Sequence, residues 1–163
     1  MQISEIKSLR QNYILNLLFY IFVKKKKMYP EEIVKPMKQE LTSVGFLELQ
    51  TEEDVSNAIS KEGTTLVAVN SVCGCAAANA RPGIRHSLLN EKKPDHLVTV
   101  FAGVDKDATQ AARDLMVPFP PSSPSIALFR NGSLVHMIER HHIEGRPAEL
   151  IAENLKSAYN EFC

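Results

Sequence analysis

The stretch Thr65-Leu66-Val67-Ala68-Val69-Asn70-Ser71-Val72-Cys73-Gly74-Cys75-Ala76-Ala77-Ala78 decides the fold. Its first part is a continuous apolar run of strand length, the pattern of a strand buried on both faces. Its last part opens a helix-forming stretch. Between them stand two cysteines separated by one glycine. The first turn of a helix carries unpaired N–H groups and the positive end of the dipole, and both favour a thiolate over a thiol. A cysteine pair at a strand-to-helix junction therefore points to thiol–disulfide chemistry.

Outward from this junction the chain alternates regularly. Upstream, Ile33, Val34, Met37 and Leu41 recur at helical spacing over Glu31–Thr42, with Pro36 inside as a candidate kink. Phe46–Leu49 reads as a short strand. Thr51 and Asp54 form a capping-box pattern for a helix over Glu52–Lys61, which Gly63 closes. Downstream, Cys75 to Leu89 reads as a helix that Pro82 should kink. Leu97–Val104 is a second apolar strand, and Asp107–Met116 a short helix. Ser125–Phe129 and Leu134–Ile138 flank Asn131-Gly132, a strong hairpin signal. Pro147–Phe162 closes the chain as a helix. From Phe46 the order is β-α-β-α-β-α-β-β-α. Two parallel crossovers and an antiparallel hairpin predict an α/β fold with a central mixed β-sheet and helices on both faces.

The 163 residues suit one domain with an appendage. The composition, 44% hydrophobic and 23% charged, is that of a globular chain. The net charge is zero but unevenly spread. Residues 1–27 carry six basic side chains and one acidic, so the remainder holds 13 basic against 18 acidic. An acidic body argues against nucleic-acid binding. Three cysteines, two of them one residue apart, do not make a disulfide framework and suit a reducing compartment.

Tyr13–Val23 is an apolar run too short to cross a bilayer, which needs about 20 residues. The four lysines Lys24–Lys27 follow the run, where a signal peptide would have its basic residues first. They would suit a short helix at an anionic membrane surface, but the change of composition at Met28 favours another reading. Residues 1–27 are expected to be a disordered leader or an over-extended start, and 28–163 the domain.

The order of elements is the thioredoxin arrangement. More narrowly, VNSVCGCAAANARPG at 69–83, VFAGVDKDAT at 100–109, PPSSPSIALFRNG at 120–132 and RHHIEGRP at 140–147 resemble the bacilliredoxin family. The resemblance covers Met28–Cys163, including the terminal Cys163. It implies a thioredoxin-like fold, a cytoplasmic protein, and removal of bacillithiol from mixed disulfides on S-bacillithiolated proteins. Disulfide isomerase or general reductase activity is the older description of such proteins. Bacillithiol is then the thiol co-substrate, and bacillithiol or a disulfide reductase recycles the site. No other cofactor and no metal is expected.

Cys73 is assigned as the nucleophile, because it lies nearer the loop and is expected to be the more exposed of the pair. Cys75 is the resolving thiol that closes a redox-active Cys73–Cys75 disulfide. A ring with one spacer residue is expected to be strained and readily reduced, and Gly74 to ease its closure through backbone freedom. The resemblance implies a cis bond before Pro124, with the Ser123 backbone facing the cysteines to receive an extended substrate. Val72 stands where thioredoxin has tryptophan, and the central strand offers no carboxylate for a proton relay. Asn70 and Ser71 are the nearest polar side chains and are expected to satisfy backbone groups.

Three bland readings compete. The thiols could be buried structural cysteines. They could belong to an iron–sulfur or zinc module, although two neighbouring ligands fall short of the usual three or four. His141 and His142, read as strand neighbours, should point to opposite faces and be ordinary surface histidines. Arg81 and Arg85 are positioned to attract an anionic small thiol, against a default of solvated surface charge. Cys163 is read either as incidental or as a third redox thiol.

Overall fold

The structure, a computed structural model, describes residues 28–163; the leader expected at 1–27 lies outside them. Five strands form one mixed sheet: β1 (Leu47–Glu48), β2 (Thr64–Asn70), β3 (His96–Phe101), β4 (Ser125–Arg130) and β5 (Ser133–Ile138). Their spatial order is β1-β3-β2-β4-β5. β3 runs parallel to both β1 and β2, whereas β4 is antiparallel to β2 and to β5. The expected mixed sheet is thus present.

β2 is central, and all seven of its residues are buried. Its alternate side chains feed two separate cores, as the two-residue period of a strand requires. Leu66 and Ala68 join Ile126 and Leu128 on one face, and Val67 and Val69 join Val98 and Val100 on the other. The first face is covered by α1 (Glu31–Thr42), by the helix behind the cysteines, and by α6 (Ala148–Phe162) through Leu41, Ile84, Ile151, Leu155 and Tyr159. The second is covered by α2 (Glu52–Ile59) and α4 (Lys106–Asp114) through Val55, Ile59, Ala108 and Ala112. Helices on both faces therefore bury the strand whose apolar run announced it.

Local chemistry explains the boundaries. The Thr51 hydroxyl accepts the Asp54 N–H at 3.1 Å, while the Asp54 carboxylate accepts the Thr51 N–H at 2.9 Å. Asn131 takes a left-handed conformation (φ 50°) in the hairpin turn, followed by Gly132 (φ 79°), as an Asn-Gly turn requires. α1 runs unbroken through Pro36, which lies on its exposed side; water can take the carbonyl that the missing N–H leaves free.

Pro82 is accommodated differently. A π-helical turn, Ala76–Ala80, precedes it, and Pro82 then falls in the first turn of α3 (Arg81–Ser87). A proline needs no intrahelical N–H partner there. The expected kink is a widened turn behind the cysteines, a form that recurs at functional sites.

Two expectations fail here. After β5 the chain forms a one-turn helix, α5 (Arg140–Ile143), so His141 and His142 are not strand neighbours. Their ring centroids lie 3.8 Å apart on one side of the turn. Arg81 is not solvated: only 2% of it is exposed. Among the described residues, no helix is long and apolar enough to cross a membrane.

Candidate active site

Cys73 follows the C-terminal end of β2, where the chain leaves the central strand and turns into a helix. Gly74 and Cys75 are already helical, and Cys73 holds the capping position. Its carbonyl accepts the N–H groups of Ala76 (3.1 Å) and Ala77 (3.2 Å). Its sulfur accepts the Ala76 N–H at 3.3 Å. The sequence places a thiol at a helix start, and the structure turns that sulfur onto the orphan donors of the first turn.

Cys73 and Cys75 are bonded to each other as a disulfide, with Cα atoms 5.4 Å apart. Both are half-buried, so exposure does not rank them as expected. Their partners do. The Ser71 hydroxyl lies 3.2 Å from the Cys73 sulfur, so Cys73 has two donors within reach. Such contacts favour an ionised sulfur once the bridge is reduced.

Behind the loop lies a buried cation. Arg81 donates from Nη1 to the Ser71 carbonyl and to Asn70 Oδ1, both at 3.1 Å, and from Nε to the Glu40 carboxylate at 2.9 Å. Asn70 Oδ1 also accepts the Ser71 N–H at 2.8 Å, and Asn70 Nδ2 donates to the Met37 carbonyl at 3.2 Å. Asn70 serves backbone groups, as expected. Ser71 reaches the reactive sulfur, which was not expected. An ion pair between α1 and α3, buried on its arginine side and open to water at Glu40, braces the loop, and β2 itself supplies no carboxylate.

Gly74 departs from its expected role. It is not among the residues with positive φ, and a Cβ built on it would meet nothing within 4 Å. The bridged form thus holds Gly74 at an ordinary backbone angle, with open space beside it. The Ser123–Pro124 bond is cis, and so is Val117–Pro118, which the sequence did not single out. Ser123 shares with Cys73 an open cleft of about 310 Å³, also lined by Ser71, Tyr29, Arg113 and Arg140. The Ser123 carbonyl accepts Arg140 Nη1 at 3.2 Å.

The two arginines of this cleft were missed by sequence reasoning, which pointed to Arg81 and Arg85 instead. Arg81 is taken up by its internal partners, and Arg85 is exposed on α3. For Arg140 a signal existed, because it opens the RHHIEGRP segment. Arg113 gave none: it reads as one charge on an amphipathic helix.

Cys163 lies at the other end of the sheet. Its neighbours are Thr64, Asp95, Lys92 and Arg130. Thr64 begins β2 and Cys73 follows its end, so a strand length of about 20 Å separates the two thiols. Cys163 therefore cannot complete a ligand set with Cys73 and Cys75. Glu139, His141 and His142 bring three ligand atoms within 4.8 Å of one another. Two of these residues already close the first turn of α5: the Glu139 carboxylate accepts the His142 N–H, and His142 Nδ1 accepts the Glu139 N–H at 3.3 Å.

Comparison with known proteins agrees with this geometry. The family described as disulphide isomerase matches residues 29–163. A bacilliredoxin of Cytophaga hutchinsonii is 58% identical over 134 residues, 82% of this chain and 99% of that protein. A bacilliredoxin of Halalkalibacterium halodurans is 54% identical, over 83% of this chain and 94% of its own. Among solved structures, oxidised mitochondrial thioredoxin 3 of Saccharomyces cerevisiae superposes with a TM-score of 0.51 at 15% identity, over 75% of this chain and 98% of that one. A putative oxidoreductase with a thioredoxin fold gives 0.52 at 20% identity, over 68% and 96%. These likenesses establish the thioredoxin fold. With full-length relatives at such identity, the chain belongs to the bacilliredoxin family and is a thiol–disulfide oxidoreductase.

Proposed function

We propose that the protein removes bacillithiol from mixed disulfides on other proteins, with Cys73 as nucleophile and Cys75 as resolving thiol. The observation that carries this reading is the Cys73 sulfur itself. It sits at a helix start, within reach of the Ser71 hydroxyl and the Ala76 N–H, and on an open cleft. The bacillithiol half rests on membership of the bacilliredoxin family.

In the first step the Cys73 thiolate attacks the bacillithiol sulfur of the mixed disulfide. A Cys73–bacillithiol disulfide forms, and the target leaves as a thiolate that takes a proton from water. In the second step the Cys75 thiolate attacks the Cys73 sulfur, expels bacillithiol thiolate and closes the Cys73–Cys75 bridge. Two electrons from bacillithiol or a disulfide reductase restore both thiols. Gly74 leaves the approach open, and Ser123 with Pro124 lines up the incoming chain across the cleft. No further cofactor enters, and the expected setting is the cytoplasm.

The test uses a Cys75→Ala variant mixed with a protein carrying a bacillithiol mixed disulfide. Mass spectrometry should find bacillithiol on Cys73 and the target released as free thiol. A target protein trapped on Cys73 instead would favour a general reductase or isomerase, the reading that the family's description supports.

A further inference from the structure

The cleft beside Cys73 is basic in an otherwise acidic body. Two of its nine lining residues are arginines, Arg113 and Arg140, and none is acidic. Residues 28–163 as a whole carry 13 basic against 18 acidic side chains. The two arginines come from different elements, α4 and α5, and converge only through the fold.

The bonding of Arg113 is incomplete. Arg113 Nη2 reaches the Ser122 carbonyl at 3.4 Å, and Arg113 Nε is buried with no hydrogen-bond partner among the described residues. A buried N–H without a partner is uncommon, and a guanidinium is the side chain best shaped to hold a carboxylate with two parallel bonds. No carboxylate pairs with Arg113 among the described residues. Arg140 is held in place by the Ser123 carbonyl and by two bonds to the exposed Glu144 carboxylate, each at 3.3 Å. All three nitrogens of Arg140 are thereby engaged, so the uncommitted donors are those of Arg113, and Arg140 adds positive charge at the edge of the cleft.

We propose that Arg113 and Arg140 form a carboxylate subsite, which holds the small-thiol half of the mixed disulfide and directs attack to its sulfur. This rests on the reading of Cys73 as nucleophile given above. An anionic small thiol would place its sulfur at Cys73 while its carboxylate sits on the arginines. The volume of about 310 Å³ suits a small molecule. The subsite decides which of the two sulfurs is attacked, and so whether the small thiol or the target protein is captured.

The test needs no bacillithiol. Reduced protein is reacted with 3,3′-dithiodipropionate, which is dianionic, and with 2-hydroxyethyl disulfide, which is neutral and of similar size. Each rate is divided by that of a free small thiol. The wild-type ratio of anionic to neutral should exceed one and fall as salt is added. Arg113→Gln should lower it about tenfold, the loss of one charge-assisted contact, and Arg140→Gln should lower it as well. Arg113→Lys should retain part of it. A ratio that does not change in the glutamine variants overturns the proposal, as does a wild-type ratio that salt does not move. Selectivity seen only with charged peptide disulfides also overturns it, and would assign the arginines to the protein partner. Absence of a bacillithiol adduct on Cys73 would instead sink the de-bacillithiolation reading and leave the charge ratio standing.

Discussion

Ser71 touches the Cys73 sulfur with its hydroxyl, at 3.2 Å, while its carbonyl accepts Arg81 Nη1 at 3.1 Å. One residue thus links the reacting atom to a buried cation. In the reduced protein the hydroxyl can donate to a thiolate, which a thiol would need less. Ser71→Ala should therefore raise the pH midpoint of Cys73 alkylation by about one unit, since a hydrogen bond to a charged group is worth roughly 1.5–3 kcal/mol. The measurement is the iodoacetamide rate against pH. An unmoved midpoint would show that the hydroxyl does not act on the ionised form.

Arg81 is a positioning residue. Arg81→Met removes the donors to Asn70, Ser71 and Glu40 and leaves the Ser71 carbonyl without its partner. Losing these bonds from a buried guanidinium should destabilise the fold by about 1–3 kcal/mol. A urea midpoint measures it. The same variant should also shift the Cys73 alkylation profile, which a loss confined to packing would leave in place.

Gly83 sets the approach of α6 to α3. A Cβ at that position would lie 2.8 Å from Ile151 Cβ and 2.9 Å from the Ala148 carbonyl oxygen. These are the core-facing residues of α6, so neither side can give way freely. Gly83→Ala should cost about 1–3 kcal/mol by overpacking, despite alanine's better helix propensity. A thermal melt at one pH decides it; an unchanged or raised Tm would refute the contact.

Asp95 ties the start of β2 to the loop before β3. Its carboxylate accepts the Thr64 N–H at 2.7 Å and the Thr64 hydroxyl at 2.8 Å. These bonds, the backbone one foremost, hold its pKa below the ordinary 3.8. A carboxyl whose pKa is lowered on folding stabilises fully above the unfolded value, and that contribution disappears as pH falls through the folded value. The contribution of Asp95 should therefore be constant above pH of about 4.5 and decline below it. Asp95→Asn should lose stability at pH 7 and show a shallower acid decline. A decline as steep as that of the wild type would assign the acid sensitivity to other carboxyls, such as Asp54.

How much of this was legible in the sequence depends on how far apart the partners lie. The β2 run, the Thr51–Asp54 box and the Asn131-Gly132 turn are written in a few adjacent residues, and each folds as read. The reactive pair was legible for the same reason, because strand, thiols and helix are contiguous. α5 was missed because four residues show no period and its cap is the unusual pair Glu139 and His142. Arg81 read as surface because its counter-ion Glu40 is 41 positions away. The Arg113–Arg140 cleft required the fold itself, since nothing local brings α4 to α5.

The terminal thiol has a practical consequence. Burial pushes Cys163 above its ordinary pKa of 9.0, although the residue is at the surface. At neutral pH an electrophilic dye should find it sluggish and, after reduction, label the sulfur at the helix start first. Dye uptake by unmutated protein would then report how much of the bridge is reduced, with the far end of the sheet left unlabelled.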